Sequence, residues 1–397
     1  MSESTENTLS VTEKKIFEAI EKNDSVLLKA LLTEKPQNVN ILDENKMTPL
    51  QHAAYKGYKE IVQILLDQGA NVNLCEHQHN YTSLHFAALS GDVDVCLLLL
   101  MAGAKSTETN TVGKTPSQMA AFVGHHNCVA TINNYVPKDE IEYYTKASST
   151  ETTPLLAATL VESFHKFIMQ INMHPVKVVM NIYKFAGLQD SLPEIRKVLG
   201  LMSEKEMKRG TESNEVMSFK FYYLSYIIGE VIQIRQKQLA RKESEEEKID
   251  ITAVFSKKLL SPGKDDNMDF MDDFLKYCIR QFPFKESTLF RQMVTSLSGE
   301  EPPNALLVIS SVINGPRLFL DNIPSCYTCG EEKPAKKCSK CKVVQYCDRD
   351  CQRLHWPWHK KACARLGQRT TSTNKVKKEG TEILDVDIAE MQNYLLN

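Results

Sequence analysis

Seven of the chain's eleven cysteines fall within residues 326–363, in the stretch CYTCGEEKPAKKCSKCKVVQYCDRDCQRLHWPWHKKAC. The spacing is C-x2-C-x8-C-x2-C-x5-C-x3-C-x7-H-x3-C, from Cys326 to Cys363. Two zinc ions in closed tetrahedra need eight nitrogen or sulfur donors, and this stretch supplies them. Each C-x2-C pair, Cys326/Cys329 and Cys338/Cys341, permits a tight turn that aims two sulfurs at one ion. Cys351, His355 and His359 recur every four residues, so a helix there presents one donor per turn on one face. About 38 residues cannot bury a self-sufficient core, so metal must hold the segment folded. Zinc contributes about 10–16 kcal/mol of apparent binding energy in comparable small fingers.

The pattern resembles the MYND zinc finger, and every ligand position of that family is filled over residues 326–363. The resemblance implies a cross-braced topology that spacing alone does not establish. It places Cys326, Cys329, Cys347 and Cys351 on one Zn2+ and Cys338, Cys341, His359 and Cys363 on the other, with His355 spare. Four protein ligands per ion leave no position for water, so both zincs are expected to be structural. The finger has nine Lys/Arg against four Asp/Glu, a nominal +5. Seven thiolates and two Zn2+ together add about −3. The residual charge supports few phosphate contacts, which argues against nucleic acid as a partner.

MYND fingers of the corepressor type resemble this one in carrying Gln and Trp four residues apart, here Gln352 and Trp356 on one helix face. That likeness implies a site for a proline-containing peptide. Val343 to Tyr346 is expected to offer a strand edge to the peptide backbone, and Pro357 to end the helix directly after Trp356. The plainer alternative is that Trp356 covers a zinc site.

Toward the N-terminus three segments recur at spacings of 34 and 33 residues, beginning TPLQHAAYKG (Thr48), TSLHFAALSG (Thr82) and TPSQMAAFVG (Thr115). Such a period predicts a stacked repeat array. The threonines sit where an N-cap belongs, and Pro49 and Pro116 occupy the tolerated first turn. Gly57, Gly91 and Gly124 are placed to end each first helix, and Gly69 and Gly103 two of the second helices. These are the marks of ankyrin repeats, expected over 12–144: a degenerate cap at 12–40 with a polar outer face, then repeats from 45, 79 and 112. On that pattern Met47, Tyr81 and Lys114 lie on exposed finger loops, and Tyr55, Leu89, Phe122 and Val123 on the first helices. An apolar stripe across three repeats reads as a partner site, or as a face covered by the domain that follows. Cys75, His77 and His79 read as solvated loop residues rather than a metal site, and His125 as a packing or capping residue.

A polar linker is expected at 145–153 and a helical domain at 154–324. There Leu160, Phe164, Phe167, Ile168 and Ile171, then Phe221, Leu224, Ile228, Val231 and Ile232, recur at helical steps. His165 and His174 are isolated on these patterns and read as structural. The blocks 241–248, 261–267 and 298–304 read as connectors. The longest apolar run, 219–234, contains Lys220 and Glu230 and is shorter than the roughly 20 apolar residues a spanning helix needs. No direct membrane insertion is expected, and the polar N-terminus does not read as a secretory signal. In the tail, 364–397, a final helix would align Leu384, Ile388, Met391 and Leu395. The fold class is therefore mainly α: an ankyrin solenoid, a helical middle and a small zinc-stabilised finger.

No Gly-rich phosphate loop, Gly-x-Ser-x-Gly elbow or His-Glu-x-x-His occurs. MYND fingers also accompany SET-domain lysine methyltransferases, but the middle shows neither an Asn-His cofactor segment nor a strand-rich SET pattern. The chain reads as a non-enzyme. The order of parts, with LDENKMTPL, AAFVGHHNCV, INMHPVKVVM and QRLHWPWHKKAC, resembles the ankyrin repeat and MYND domain-containing protein 2 family across 12–363. That resemblance implies a cytoplasmic adaptor, with ankyrin face and finger binding separate proteins, that helps traffic signalling proteins to the cilium. Ciliary membrane signalling proteins or their chaperones are the implied partners. The alternative is a nuclear corepressor scaffold, since MYND fingers also serve there; the short KVKKEG leaves the nucleus open.

Overall fold

Each repeat opens on a threonine that caps its own helix and closes it from both sides. Thr48, Thr82 and Thr115 accept from the backbone N–H three residues on, while the side chains of Gln51, His85 and Gln118 accept from the cap N–H. Two orphan donors per helix are satisfied this way. Gln51 and His85 also reach forward. Gln51 Nε2 donates to the Leu74 and Tyr81 carbonyls of the next loop, at 2.9 and 3.0 Å. His85 Nδ1 accepts from Thr82 N, which leaves Nε2 to donate to Lys114 O at 3.0 Å. One side chain thus caps its helix and ties down the following finger loop, a link that the repeat spacing does not reveal.

The computed structural model describes residues 9–34, 38–146, 154–210, 213–240, 250–262, 269–315 and 323–373. The chain divides into two units, Met1–Pro137 with Asn314–Phe319, and Lys138–Ile313 with Leu320–Asn397. The first holds four helix pairs: α1 (Val11–Glu21) with α2 (Ser25–Glu34), α3 (Pro49–Lys56) with α4 (Lys59–Asp67), α5 (Ser83–Ser90) with α6 (Val93–Met101), and α7 (Pro116–Val123) with α8 (His126–Asn133). First helices stack on first helices and second on second, as in a solenoid. The paired alanines Ala53, Ala54, Ala87 and Ala88 are fully buried, which lets neighbouring helices approach closely. Gly57, Gly91 and Gly124 end the first helices in the left-handed conformation.

The second unit begins with α9 (Lys138–Glu142) and a short 3-10 turn, Tyr143–Thr145. The array therefore closes at Pro137 rather than at residue 144. The reason is packing: Ile141 and Tyr144 are buried, and Glu140 pairs with Lys205 and Arg209 of the helical unit. Of the expected linker, residues 147–153 lie outside the described residues.

The helical unit continues through α10 (Val161–Ile168), α11 (Pro175–Lys184), α12 (Leu192–Met207), α13 (Glu215–Leu239), α14 (Ile251–Leu259), α15 (Asp269–Gln281), α16 (Thr288–Leu297) and α17 (Ala305–Asn314). The apolar periodicities mark its core. Phe164, Phe167 and Ile168 of α10 and Phe221, Leu224, Ile228 and Val231 of α13 are buried. The long α13 packs along α12, and α11 and α14 both lie against α13. Lys220, which in sequence argues against a membrane span, is itself fully buried, and burial brings its ammonium down to about 7. Among the described residues no helix is long and apolar enough to cross a membrane. Of the connectors, 241–248 and 263–267 lie outside the described residues.

The finger adds a two-residue hairpin, β1 (Lys336–Lys337) antiparallel to β2 (Gln345–Tyr346), and α18 (Arg349–Thr373). Pro357 does not end α18, contrary to expectation; the helix runs through it. Breaking there would take His359 and Cys363 off the face that carries Cys351, and those side chains meet the other sulfurs of the finger only in helical register. The expected tail helix, with Leu384, Ile388, Met391 and Leu395, lies outside the described residues.

Gly91 adopts φ 79°, and a Cβ on it would stand 2.8 Å from the His125 ring. Gly103 adopts φ 88° with nothing within 4 Å. Gly103→Ala should cost only the left-handed penalty, about 1–2 kcal/mol. Gly91→Ala should cost more and lower the melting temperature further, because His125 must also give up its bond to Leu89 O. Equal losses in thermal denaturation would contradict the contact.

Candidate metal centre and protein-binding surfaces

The finger gathers its donors from four short pieces. The first C-x2-C turn brings Cys326 and Cys329, the end of the hairpin brings Cys347, and the first turn of α18 brings Cys351. These four sulfurs lie within 4.8 Å of one another. The second C-x2-C turn brings Cys338 and Cys341, and two later turns of α18 bring His359 and Cys363, which form a second group of the same compactness. Pairs alternate along the chain, so the topology is cross-braced, as the MYND resemblance implies. None of the eleven cysteines is in a disulfide.

The separations fit tetrahedral zinc. Cys329 Sγ lies 3.6 Å from Cys347 Sγ and 3.7 Å from Cys351 Sγ, and Cys338 Sγ lies 3.8 Å from Cys363 Sγ. A regular tetrahedron with Zn–S bonds of 2.3 Å has edges of about 3.8 Å. His359 Nε2 stands 3.2 Å from Cys338 Sγ and 3.7 Å from Cys341 Sγ. Its Nδ1 is buried and makes no hydrogen bond, so the ring's polar contacts all run through Nε2 toward the sulfurs. Two Zn2+ ions would be held by the two sets, each fully coordinated by protein. Their chemistry is to crosslink the chain, with no open position at which to activate water.

His355 belongs to neither group. It sits between them on α18, where its Nδ1 pairs with the Tyr346 hydroxyl at 3.0 Å and its ring stacks on Tyr327. Burial, and then the His359 ring, hold His355 down to about 4, while burial pushes the Tyr346 phenol up. Thr328, fully buried, donates to Cys351 O at 2.6 Å and locks the first knuckle to α18.

Within the second unit, the helices before the finger also contact it. Lys177 Nζ pairs with Glu331 at 2.9 Å. Burial pulls the Lys177 ammonium down, but Glu331 and then the Cys329 and Cys347 sulfurs outweigh it, so its pKa is raised. Arg353 Nη1 pairs with Asp250 at 2.8 Å, and Trp358 Nε1 donates to Lys257 O at 3.0 Å. The two tryptophans are thereby divided. Trp358 docks on α14, while Trp356 is 45% exposed beside the His359 ring. Gln352, one turn earlier, is half-buried.

The expected strand edge at Val343 to Tyr346 is paired on one side and partly used on the other. β2 pairs with β1 on one side, where Cys338 N donates to Val344 O, and Gln345 O accepts from Tyr327 N on the other. The finger closes its own hairpin because its second knuckle must turn back onto β2.

The ankyrin stripe is not a continuous exposed band. Met47, Tyr81 and Leu89 are buried, Tyr55 and Val123 are half-buried, and Phe122 is 61% exposed. Tyr81 is covered because it stacks on His77 and His85 and meets Phe86 edge-on. His77 is buried in the same cluster rather than solvated, whereas Cys75 is exposed. Alternating polar and aromatic residues in LCEHQHNYT hide this, since an aromatic stack has no fixed spacing in sequence.

Residues 326–363 match the family model of the MYND finger, and residues 16–110 that of ankyrin repeats in three copies. Dauer abnormal formation protein 25 of Caenorhabditis elegans is 35% identical over 369 residues, 89% of this chain and 91% of that protein. Protein fem-1 homolog A-like of Mus musculus is 34% identical over 110 residues, 28% of this chain and 16% of its own length. Ankyrin repeat and SAM domain-containing protein 6 of Rattus norvegicus is 33% identical over 92 residues, 23% and 10% of the respective lengths. The likeness to the nematode protein spans nearly the whole chain; the other two are confined to short stretches.

Elemental analysis of the purified chain should return two zinc ions per molecule. His359→Ala should lower that number and His355→Ala should not. One zinc in the unaltered protein, or loss in His355→Ala equal to that in His359→Ala, would contradict the assignment.

Proposed function

The chain belongs to the family of proteins that join N-terminal ankyrin repeats to a C-terminal MYND finger, Dauer abnormal formation protein 25 among them, and we propose on that premise that it is a non-enzymatic adaptor carrying signalling proteins to the cilium. Ankyrin repeats and MYND fingers are protein-interaction modules, so protein partners follow from the architecture. The cargo class, membrane signalling proteins or their chaperones, rests on the family resemblance.

The observation that carries the finger's part is Trp356. It is exposed on a rigid helix whose following turns are anchored in a zinc tetrad, and Tyr327 is the finger's other exposed large aromatic side chain. A partly exposed aromatic ring on a preorganised support is a typical anchor for a partner. With β1 on one side of β2 and the Tyr327 N–H on Gln345 O at the other, the bound peptide would be read mainly by side chains rather than by strand addition. That favours a proline-containing segment, whose extended helix is preformed and whose rings stack on aromatic walls. Trp356 would supply the wall and Gln352 an amide for peptide carbonyls.

On the ankyrin unit, Phe122 is the part of the expected stripe left for a partner, with Tyr55 and Val123 half-exposed beside it in the pattern of first helices. Met47, Tyr81 and Leu89 would support that face from below rather than touch the partner.

Trp356→Ala should weaken binding of a Pro-x-Leu-x-Pro peptide at least about tenfold, as loss of a central anchor does, with both zincs retained. No saturable binding by the unaltered chain would end the peptide reading. Capture from ciliated cells should return membrane signalling proteins with the unaltered chain and fewer with Phe122→Ser. Recovery of chromatin repressors instead would favour the nuclear scaffold.

A further inference from the structure

Besides the contacts of α18 with Asp250 and Lys257, the finger lies against the helices at the knuckle that follows Cys329. Asn172 Nδ2 donates to Cys329 O at 3.1 Å and to Glu331 Oε2 at 3.2 Å. Glu331 also takes the Lys177 ammonium, so one carboxylate joins two residues of the helical unit to the knuckle. Gly330, between them, adopts φ 67°, and a Cβ there would stand 3.0 Å from the His174 ring. His174 is itself fixed: its Nδ1 caps α11 by accepting from Val176 N, and its own N–H donates to Asn172 Oδ1 at 2.9 Å. Met180, in the second turn of α11, packs against the cluster that contains the ligand sulfurs. Behind them Tyr223 of α13 holds Met173 O at 2.5 Å.

A zinc bound by four thiolates carries a net charge of about −2, whereas the Cys3His set carries about −1. The more negative set is the one that the helical unit approaches with a lysine and an amide. We propose that α11 and the segment before it are an outer wall of the first zinc site. Asn172 and Lys177 hold the Cys329–Glu331 knuckle, and so set how firmly Cys326, Cys329, Cys347 and Cys351 retain their ion. The coupling is reciprocal: the occupied knuckle in turn holds the start of α11. This inference concerns zinc retention and stands whether or not the adaptor reading is right.

The test uses the full chain loaded with zinc, a competing chelator and a thiol alkylating reagent, with each cysteine followed by mass spectrometry. Lys177→Met and Asn172→Ala should each speed alkylation of Cys326, Cys329, Cys347 and Cys351 about tenfold or more, the range seen when outer partners of metal ligands are removed. Cys338, Cys341 and Cys363 should keep their original rate, and Lys177→Arg should restore most of the protection of the first set. Unchanged rates in the first set, or equal acceleration in both sets, would overturn the proposal. Hydrogen exchange on the unaltered chain gives a reading independent of any variant. Stripping zinc should expose the amides of Val176 to Val179 and leave those of α3 to α8 as they were. Full protection of α11 in the stripped chain would also overturn it.

Discussion

The bond between thiolate sulfur and zinc is the interaction on which the C-terminal finger of this protein depends. Between residues 326 and 363 the buried apolar side chains other than cysteine are Val344, Tyr346 and Leu354. Three such residues cannot offset the conformational entropy of ordering the segment. The metal-binding sets supply what the core does not, and they also dictate local conformation. α18 must carry Cys351 to one set and His359 and Cys363 to the other. That demand keeps the helix continuous through Pro357, where the ring removes a backbone donor and ordinarily breaks a helix.

The ankyrin unit solves the same problem of small size by repetition. No repeat buries its own apolar face, and stacking supplies the missing wall. Gln51 and His85 make the stack directional, since each caps its own helix and grips the next loop. The helical middle is more than a spacer between two modules. It contributes Met180 to the cluster around the ligand sulfurs, Asp250 and the Lys257 carbonyl to α18, and Asn172 and Lys177 to the first knuckle. Of the finger's two tryptophans, two residues apart on α18, the one bound to this platform is Trp358, and Trp356 stays exposed.

The architecture and the eight donors were legible because each rests on a repeating or tightly spaced signal: a period of 33 to 34 residues, apolar steps of three and four, and paired cysteines; the division of the donors into two sets came from the MYND resemblance, not from spacing. What escaped the sequence has no such period. The burial of Tyr81 and His77 comes from rings stacked across a loop, which spacing does not encode. The hydrogen bond on the outer side of β2 comes from Tyr327, nearly twenty residues away in sequence. Pro357 misled because the local rule for proline was weighed without the ligands beyond it. The contacts of Asn172 and Lys177 join segments more than 150 residues apart, and no pattern within either segment points to the other.

Zinc K-edge X-ray absorption on the full chain tests the central claim most directly, because it counts the ligands without altering them. Two closed sets predict a shell of seven sulfurs to one nitrogen over two ions, with Zn–S near 2.3 Å and Zn–N near 2.0–2.1 Å. An oxygen in that shell, or a sulfur share well below this ratio, would mean that a site is open or differently built, and would contradict zinc as a purely structural crosslink.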